Sequence, residues 1–201
     1  KDLSDEKIKQ LANLLQMREA DVRKKLKEER NQVFLKRQVE PAIAQQIRKL
    51  EIPGIGLNNE FRRFYPEGEA MAHVVGFTNV EDRGQEGMEL SRENDLAAST
   101  GKRRVVVDRL GRIVEDMGVL QLPQNGKDLK LSVDSKIQYI AYNALKDAVE
   151  KHRAKAAGAV VINVQTGEIL ALANWPSYNP NDRKILSGEQ LRNRVMTDTF
   201  E

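Results

Sequence analysis

A run of turn-forming residues, Pro123-Gln124-Asn125-Gly126, separates a hairpin-like pattern from a long helical one. A proline and a glycine this close together interrupt any regular element, so the run reads as a linker. It predicts two modules, 1–122 and 123–201. At roughly 100 to 200 residues per domain, the chain has room for one domain or two small ones, with enough length to bury a core. Charged residues make up 31% and hydrophobic residues 40% of it, which is a globular composition and not a disordered one. The net charge of +3 arises from 33 basic and 30 acidic side chains, and aromatics at 5% leave little to stack on bases. Nucleic acid is therefore not an expected partner.

The absence of cysteine removes disulfides, thiolate metal sites and a cysteine nucleophile, and fits either redox compartment. No apolar run reaches the length that crosses a bilayer. The first residue is Lys1 and not Met, which leaves room for an upstream leader or anchor.

Ser4, followed by Asp5 and Glu6, forms an N-cap signature. Ile8, Leu11, Ala12 and Leu15 then repeat at helical spacing. A charged helix is expected over 19–29, with Val22 and Leu26 as its apolar edge and a solvated basic face. A strand is expected over 33–39, and Pro41 then opens a helix to residue 50 with Ile43, Ile47 and Leu50 inward. Further expectations are a strand from Phe61 halted by Pro66, a short helix over 70–75, and a helix over 88–96. Strands over 103–108 and 112–116 are expected to form a hairpin around Arg109-Leu110-Gly111.

Beyond the linker, 129–133 alternates as a strand. Asp134 or Ser135 then caps a helix whose stripe is Ile137, Ile140, Ala141, Ala144, Leu145 and Ala148. Strands over 159–164 and 168–173 join through Gln165-Thr166-Gly167 and are predicted to pack on that helix. A turn-rich stretch, 175–181, leads into a helix ending in Arg192-Asn193-Arg194. The fold class is α+β.

Little in these residues carries chemistry. His73 and His152 lack neighbouring ligands for a metal, and His73 lies in an apolar helix where a hydrogen-bonded core role is the commoner one. No glycine-rich loop opens a helix to cradle phosphate. Two Ser-x-x-Lys pairs occur, Ser4 with Lys7 and Ser99 with Lys102. A lysine serves as base only when desolvated. Ser4 reads as a cap on a charged surface helix, and Ser99 lies in a glycine-containing loop. Ser177-Tyr178-Asn179 sits in a proline-bounded turn. Glu86 and Glu89 fit the dipole at a helix start, and an ion pair from Arg63 to Glu86 or Glu89 is expected.

Several segments together resemble class B penicillin-binding proteins. Arg63-Phe64-Tyr65-Pro66-Glu67-Gly68, followed by Ala72-His73-Val74-Val75-Gly76-Phe77, is similar to that family's Arg-x-Tyr-Pro-x-Gly and Ala-His-x-x-Gly segment. Gly84-Gln85-Glu86-Gly87-Met88-Glu89 resembles its Gly-x-x-Gly-x-Glu motif. Asp108-Arg109-Leu110-Gly111-Arg112 and Leu131-Ser132-Val133-Asp134 with Ile137-Gln138 also fit. The block from Ala157-Gly158 through Thr166-Gly167-Glu168 to Pro180-Asn181 looks like the opening of the transpeptidase domain. Asn163 departs from the aspartate usual there, so no charge is argued at that position.

The resemblance covers about residues 33–201 and is strongest to division-specific (septal) peptidoglycan D,D-transpeptidases of Gram-negative bacteria. It implies a non-catalytic pedestal over 1–122 and the start of a transpeptidase domain over 123–201. It also implies a nucleophilic serine in a Pro-Gly-Ser-x-x-Lys segment just after Glu201, so no catalytic residue is expected among these 201. The motif residues Arg63, Tyr65, Pro66, Gly68, His73, Gly76, Gly84, Glu86, Gly87, Glu89, Asp108, Arg109, Gly111, Thr166, Gly167, Arg192, Asn193 and Arg194 are expected to be structural. By the same resemblance the intact protein works on peptidoglycan stem peptides and is a beta-lactam target. It would be held by one upstream anchor on the periplasmic side of the inner membrane, meet cell-division membrane proteins, and need no metal or organic cofactor. A different class of function, an interaction module that positions a division enzyme, is the alternative.

Overall fold

A computed structural model describes residues 4–28, 32–109, 112–182 and 187–199. The chain forms two compact units, 1–62 and 63–201.

The first unit is helical. α1 (Asp5–Leu15) begins where the Ser4 hydroxyl accepts from the Lys7 N–H, and it buries Ile8, Leu11, Ala12 and Leu15. α2 (Glu19–Leu26) adds Val22, and α3 (Pro41–Lys49) adds Ile47 from a helix started by its proline. Ile43 and Leu50 pack around this core as partly buried side chains. The strand expected over 33–39 is absent, and one lysine ammonium group, not a partner strand, takes two of its carbonyls. Lys25 Nζ donates to the carbonyls of Phe34 at 2.8 Å and Leu35 at 2.9 Å, while Lys36 Nζ reaches the Leu15 carbonyl at 2.5 Å. The second helix ends at Leu26, and residue 29, where it was expected to end, lies outside the described residues.

In the second unit a 3-10 turn (Gly68–Ala70) leads into α4 (Ala72–Val75). The helix expected over 88–96 is divided into α5 (Gly87–Ser91) and α6 (Glu93–Leu96). Arg92 leaves helical geometry at φ −118°. Beside it the Glu93 carboxylate turns back to accept from the Gly84 N–H at 2.7 Å. β1 (Lys102–Val107) and β2 (Ile113–Gln121) form the expected antiparallel ribbon, with Val106 opposite Glu115 and Val107 opposite Ile113. Leu110 and Gly111 at its turn lie outside the described residues.

The stretch 123–126 falls inside this unit and is bonded to it. Ser99 and Gln124 exchange backbone hydrogen bonds of 2.8 and 3.0 Å, and the Lys127 N–H reaches the Asp95 carbonyl at 2.7 Å. Residues 129–133 do not form the expected strand. A hydroxyl and an amide tie this region to the neighbouring strand, Ser132 Oγ to Ile169 O at 2.8 Å and Asp134 N to Leu170 O at 2.9 Å.

α7 (Ser135–His152) is capped by Asp134, whose carboxylate accepts from the N–H groups of Lys136 and Ile137. Its inward face differs from the apolar stripe. Gln138, Tyr142 and Val149 are buried, whereas Ile140 is 67% exposed and Ala144 and Ala148 face solvent. The Gln138 carboxamide sets this rotation. Its Nε2 donates to Ala70 O at 2.6 Å and Leu172 O at 2.8 Å, and its Oε1 accepts from the Leu172 N–H at 2.7 Å. β3 (Ala157–Ile162) and β4 (Ile169–Trp175) pair antiparallel with Ala159 opposite Ala173, and α7 lies on β4 as expected. Ala70, Tyr142 and Ala173 form the core there, joined by Ala141, Leu145 and Trp175. α8 (Gly188–Leu191) and α9 (Arg194–Thr197) end the described chain.

Candidate functional site

The motif residues from 63 to 89 gather around Tyr65, which is 6% exposed. The strand expected from Phe61 to Tyr65 does not form, because a side chain supplies the bonding a strand would have supplied. Tyr65 N–H donates to Asn181 Oδ1 at 3.0 Å, and Asn181 Nδ2 donates back to Tyr65 O at 2.8 Å. The Tyr65 hydroxyl accepts from the buried Thr78 N–H at 3.0 Å. Pro66 and Glu67 then turn the chain into Gly68, at φ +50°.

Arg63 grips Glu89 with two bonds, Nε to Oε1 at 3.1 Å and Nη2 to Oε2 at 3.2 Å. Of the two expected acidic partners, Glu89 takes the arginine, while Glu86 precedes α5 as its N-cap residue. The pair is lopsided, with the Glu89 side chain 6% exposed and that of Arg63 42% exposed. Burial pushes the Glu89 carboxyl above its usual range, against the pull of Arg63 and Tyr65 toward the charged form. The pair borders a cleft of about 240 Å³ walled by Pro66, Met71, Val75 and Pro180.

Gly76 makes possible the crossing between the two motif segments. It sits at φ +80°, and a Cβ there would lie 1.9 Å from the Glu86 carbonyl oxygen and 2.9 Å from the Gly87 nitrogen. Backbone therefore packs on backbone, which a side chain would prevent. Gly84 is buried against the Glu89 backbone in the same crossing.

His73 is buried at 8% exposure, with Nε2 placed 2.8 Å from the Gln190 carbonyl and its ring edge-on to Tyr178 at 5.4 Å. As that carbonyl only accepts, Nε2 carries the proton. Burial lowers the imidazole pKa, the nearby Arg194 charge acts in the same direction, and the Gln190 bond opposes both. Tyr178 donates to Ala72 O at 3.0 Å, and Ser177 donates to Glu69 O at 2.8 Å. Burial and the Glu86 charge raise the Tyr178 phenol well above its ordinary value. These residues tie Glu69, Ala72 and His73 to Ser177, Tyr178 and Gln190 and offer no nucleophile paired with a base.

The remaining motif residues lie elsewhere. Asp108 binds Arg112 at 2.7 Å beside the exposed Arg109 near the β1–β2 turn. Gly111 lies outside the described residues. Thr166 and Gly167 form the β3–β4 turn, where Gly167 has φ +75° and its N–H reaches Asn163 O at 2.7 Å. Arg192, Asn193 and Arg194 surround the start of α9. There Arg192 meets Asp198 at 2.6 Å, and Arg194 meets both Glu189 at 2.5 Å and Asp198 at 3.5 Å. Lys7 Nζ is directed to the Leu50 carbonyl, and Ser99 is held by its backbone bridge to Gln124. Among the described residues no cluster of three His, Cys, Asp or Glu could hold a metal, and no helix is long and apolar enough to cross a membrane.

Asn174 was missed by sequence reasoning, and Gln138 was read only as part of a matching motif. Each is an amide inside an otherwise apolar stretch, which is the signal that could have marked them.

Comparison with known proteins finds the penicillin-binding protein dimerisation domain over residues 1–131 and the penicillin-binding protein transpeptidase domain over residues 157–201. Peptidoglycan D,D-transpeptidase FtsI of Escherichia coli is 46% identical over 169 residues, covering 84% of this chain and 29% of the relative. The probable peptidoglycan D,D-transpeptidase PenA of Neisseria gonorrhoeae is 42% identical over 197 residues, covering 96% and 34%. The chain thus spans about a third of the length of these relatives. A peptidoglycan synthetase structure from Bifidobacterium adolescentis superposes with a TM-score of 0.51 at 29% identity, covering 86% of this chain and 32% of that one.

The lopsided ion pair predicts unequal costs. Arg63→Ala should destabilise the chain by roughly 3 kcal/mol, since it strands a buried carboxylate. Glu89→Gln should cost only about 1 kcal/mol, because the half-exposed arginine can turn to water. Urea unfolding of both variants checks this, and equal losses would contradict it.

His73 predicts a pH dependence of definite sign. Its folded pKa lies below the unfolded value of 6.5, so its contribution is fully present above that value and is lost as pH falls toward the folded pKa. His73→Gln keeps a donor for Gln190 O and removes the titration. Between about pH 7 and about pH 5, the parent should lose more stability than this variant; parallel curves would count against a buried neutral imidazole.

Proposed function

Because the chain belongs to the penicillin-binding proteins, we propose that it forms the scaffold of a septal peptidoglycan D,D-transpeptidase, with a pedestal over 1–122 and the opening of the catalytic domain over 123–201. The observation that carries this reading is the consecutive match of the dimerisation and transpeptidase domains along one chain. The buried motif residues around Tyr65 support a structural role for that segment.

In this reading the nucleophilic serine follows Glu201. Its oxygen attacks the carbonyl of a D-Ala–D-Ala bond in one stem peptide as its proton passes to a desolvated lysine. The terminal D-Ala leaves as the amine, and an acyl-enzyme ester remains. The amine of a neighbouring stem peptide then attacks the ester, forming the cross-link and releasing the serine. A beta-lactam enters the first step and stays bound because its leaving group remains tethered. The reaction belongs on the periplasmic face of the inner membrane, where the peptide substrate lies.

A second reading, docking of cell-division membrane proteins, is favoured by the β1–β2 ribbon. Val114, Met117, Leu120 and Leu122 are each 60% exposed or more.

Labelling with a fluorescent penicillin, read by intact mass, tests the catalytic assignment. The 201-residue chain should give no stoichiometric adduct, and the intact protein should give one on a serine beyond Glu201. An adduct on Ser4, Ser99 or Ser177 would overturn it.

A further inference from the structure

α9 is four residues long, too short to hold its own conformation, so its position is set by what it rests on. It rests on a notch between β3 and β4. Gly158 and Asn174 are directly opposite one another in that ladder. Gly158 leaves an opening filled by Val195, since a Cβ at this glycine would lie 2.6 Å from Val195 Cγ2.

Asn174 is 1% exposed and spends both ends of its carboxamide on the same segment. Its Nδ2 donates to Asn193 Oδ1 at 2.9 Å, and its Oδ1 accepts from the Val195 N–H at 2.9 Å. A buried amide near the end of a strand that also buries Ala171, Leu172 and Ala173 is costly unless both groups are bonded. Here both are bonded, and both bonds run to the two sides of Arg194. At the other end of α9, Asp198 receives Arg192 and Arg194.

We propose that the Gly158–Asn174 notch is a positioning site that fixes α9 against the β3–β4 sheet and thereby sets the place of the chain segment that follows it. The inference rests on the transpeptidase reading, in which that segment carries the nucleophilic serine. Asn174 touches no reacting atom in this scheme; it acts through Asn193 and Val195. A displacement of the reacting group by about 1 Å can slow a reaction by roughly 100-fold, so loss of the notch should appear in the acylation rate more than in beta-lactam affinity.

The test uses the intact protein and a fluorescent penicillin, with the acylation rate at saturation, the half-saturating concentration and the melting temperature measured together. Asn174→Ala should slow acylation roughly 10- to 100-fold and leave the half-saturating concentration unchanged. Gly158→Ala should slow it too, and adding Val195→Ala, which removes the colliding methyl, should restore much of the rate. Val149→Ala, which opens a void in α7 away from the notch, should lower the melting temperature without changing the rate. If Asn174→Ala does not fold, the Gly158→Ala and Val195→Ala pair decides the matter. Parental rates in Gly158→Ala, or no recovery in the double variant, would overturn the notch. An unlabelled parent would overturn the transpeptidase reading instead.

Discussion

Buried and half-buried side-chain carboxamides close backbone hydrogen bonds between distant parts of the second unit, and its packing depends on them. Asn181 holds both backbone polar groups of Tyr65, 116 residues away in sequence. Gln138 bonds Ala70 and both backbone groups of Leu172. A buried N–H or C=O left unpaired costs about 1–3 kcal/mol, so wherever chain is buried without a sheet neighbour something must replace the ladder. An amide does so well, since it offers a donor and an acceptor in the geometry of a peptide group. The segment that includes Tyr65 and Ala70 is thereby joined to α7, β4 and the loop after it without any strand crossing between them.

The other constraint is direct backbone contact. Gly76 lets residues 74–76 cross over Glu86 and Gly87 at distances no side chain would allow. That crossing brings α5 close enough for Glu89 to reach Arg63. The ion pair is the consequence of the crossing more than its cause, since burial by itself disfavours the Glu89 charge. Such an arrangement supplies rigidity, because Arg63, Glu89 and His73 are each committed to structural bonds.

Patterns governed by local spacing were readable in the sequence. All four apolar positions expected inward on α1 are buried, Asp134 caps α7, and the two ribbons form with approximately the expected pairing. The Arg63–Glu89 contact was also readable as one of two choices, from charge and from the family resemblance. What failed was any inference that an extended apolar run must find a strand. At 33–39 one lysine takes two carbonyls, at Tyr65 an asparagine takes the carbonyl, and beside 129–133 the Ser132 hydroxyl and the Asp134 amide bond the neighbouring strand. The stripe of α7 was misjudged for a related reason. Gln138 lay outside the expected apolar stripe, yet it is fully buried while Ile140 faces solvent. Hydropathy patterns score an amide by its cost in an apolar place and cannot see the partners that offset that cost.

Native-state hydrogen exchange of the Tyr65 and Leu172 amides tests this account most directly, because each donates to a carboxamide oxygen, of Asn181 and of Gln138 respectively. If side-chain amides truly stand in for sheet partners, both N–H groups exchange only with the cooperative opening of the second unit, with the same protection as the ladder amides of β4. Tyr65 exchanging at the rate of an open loop while β4 stays protected would contradict it.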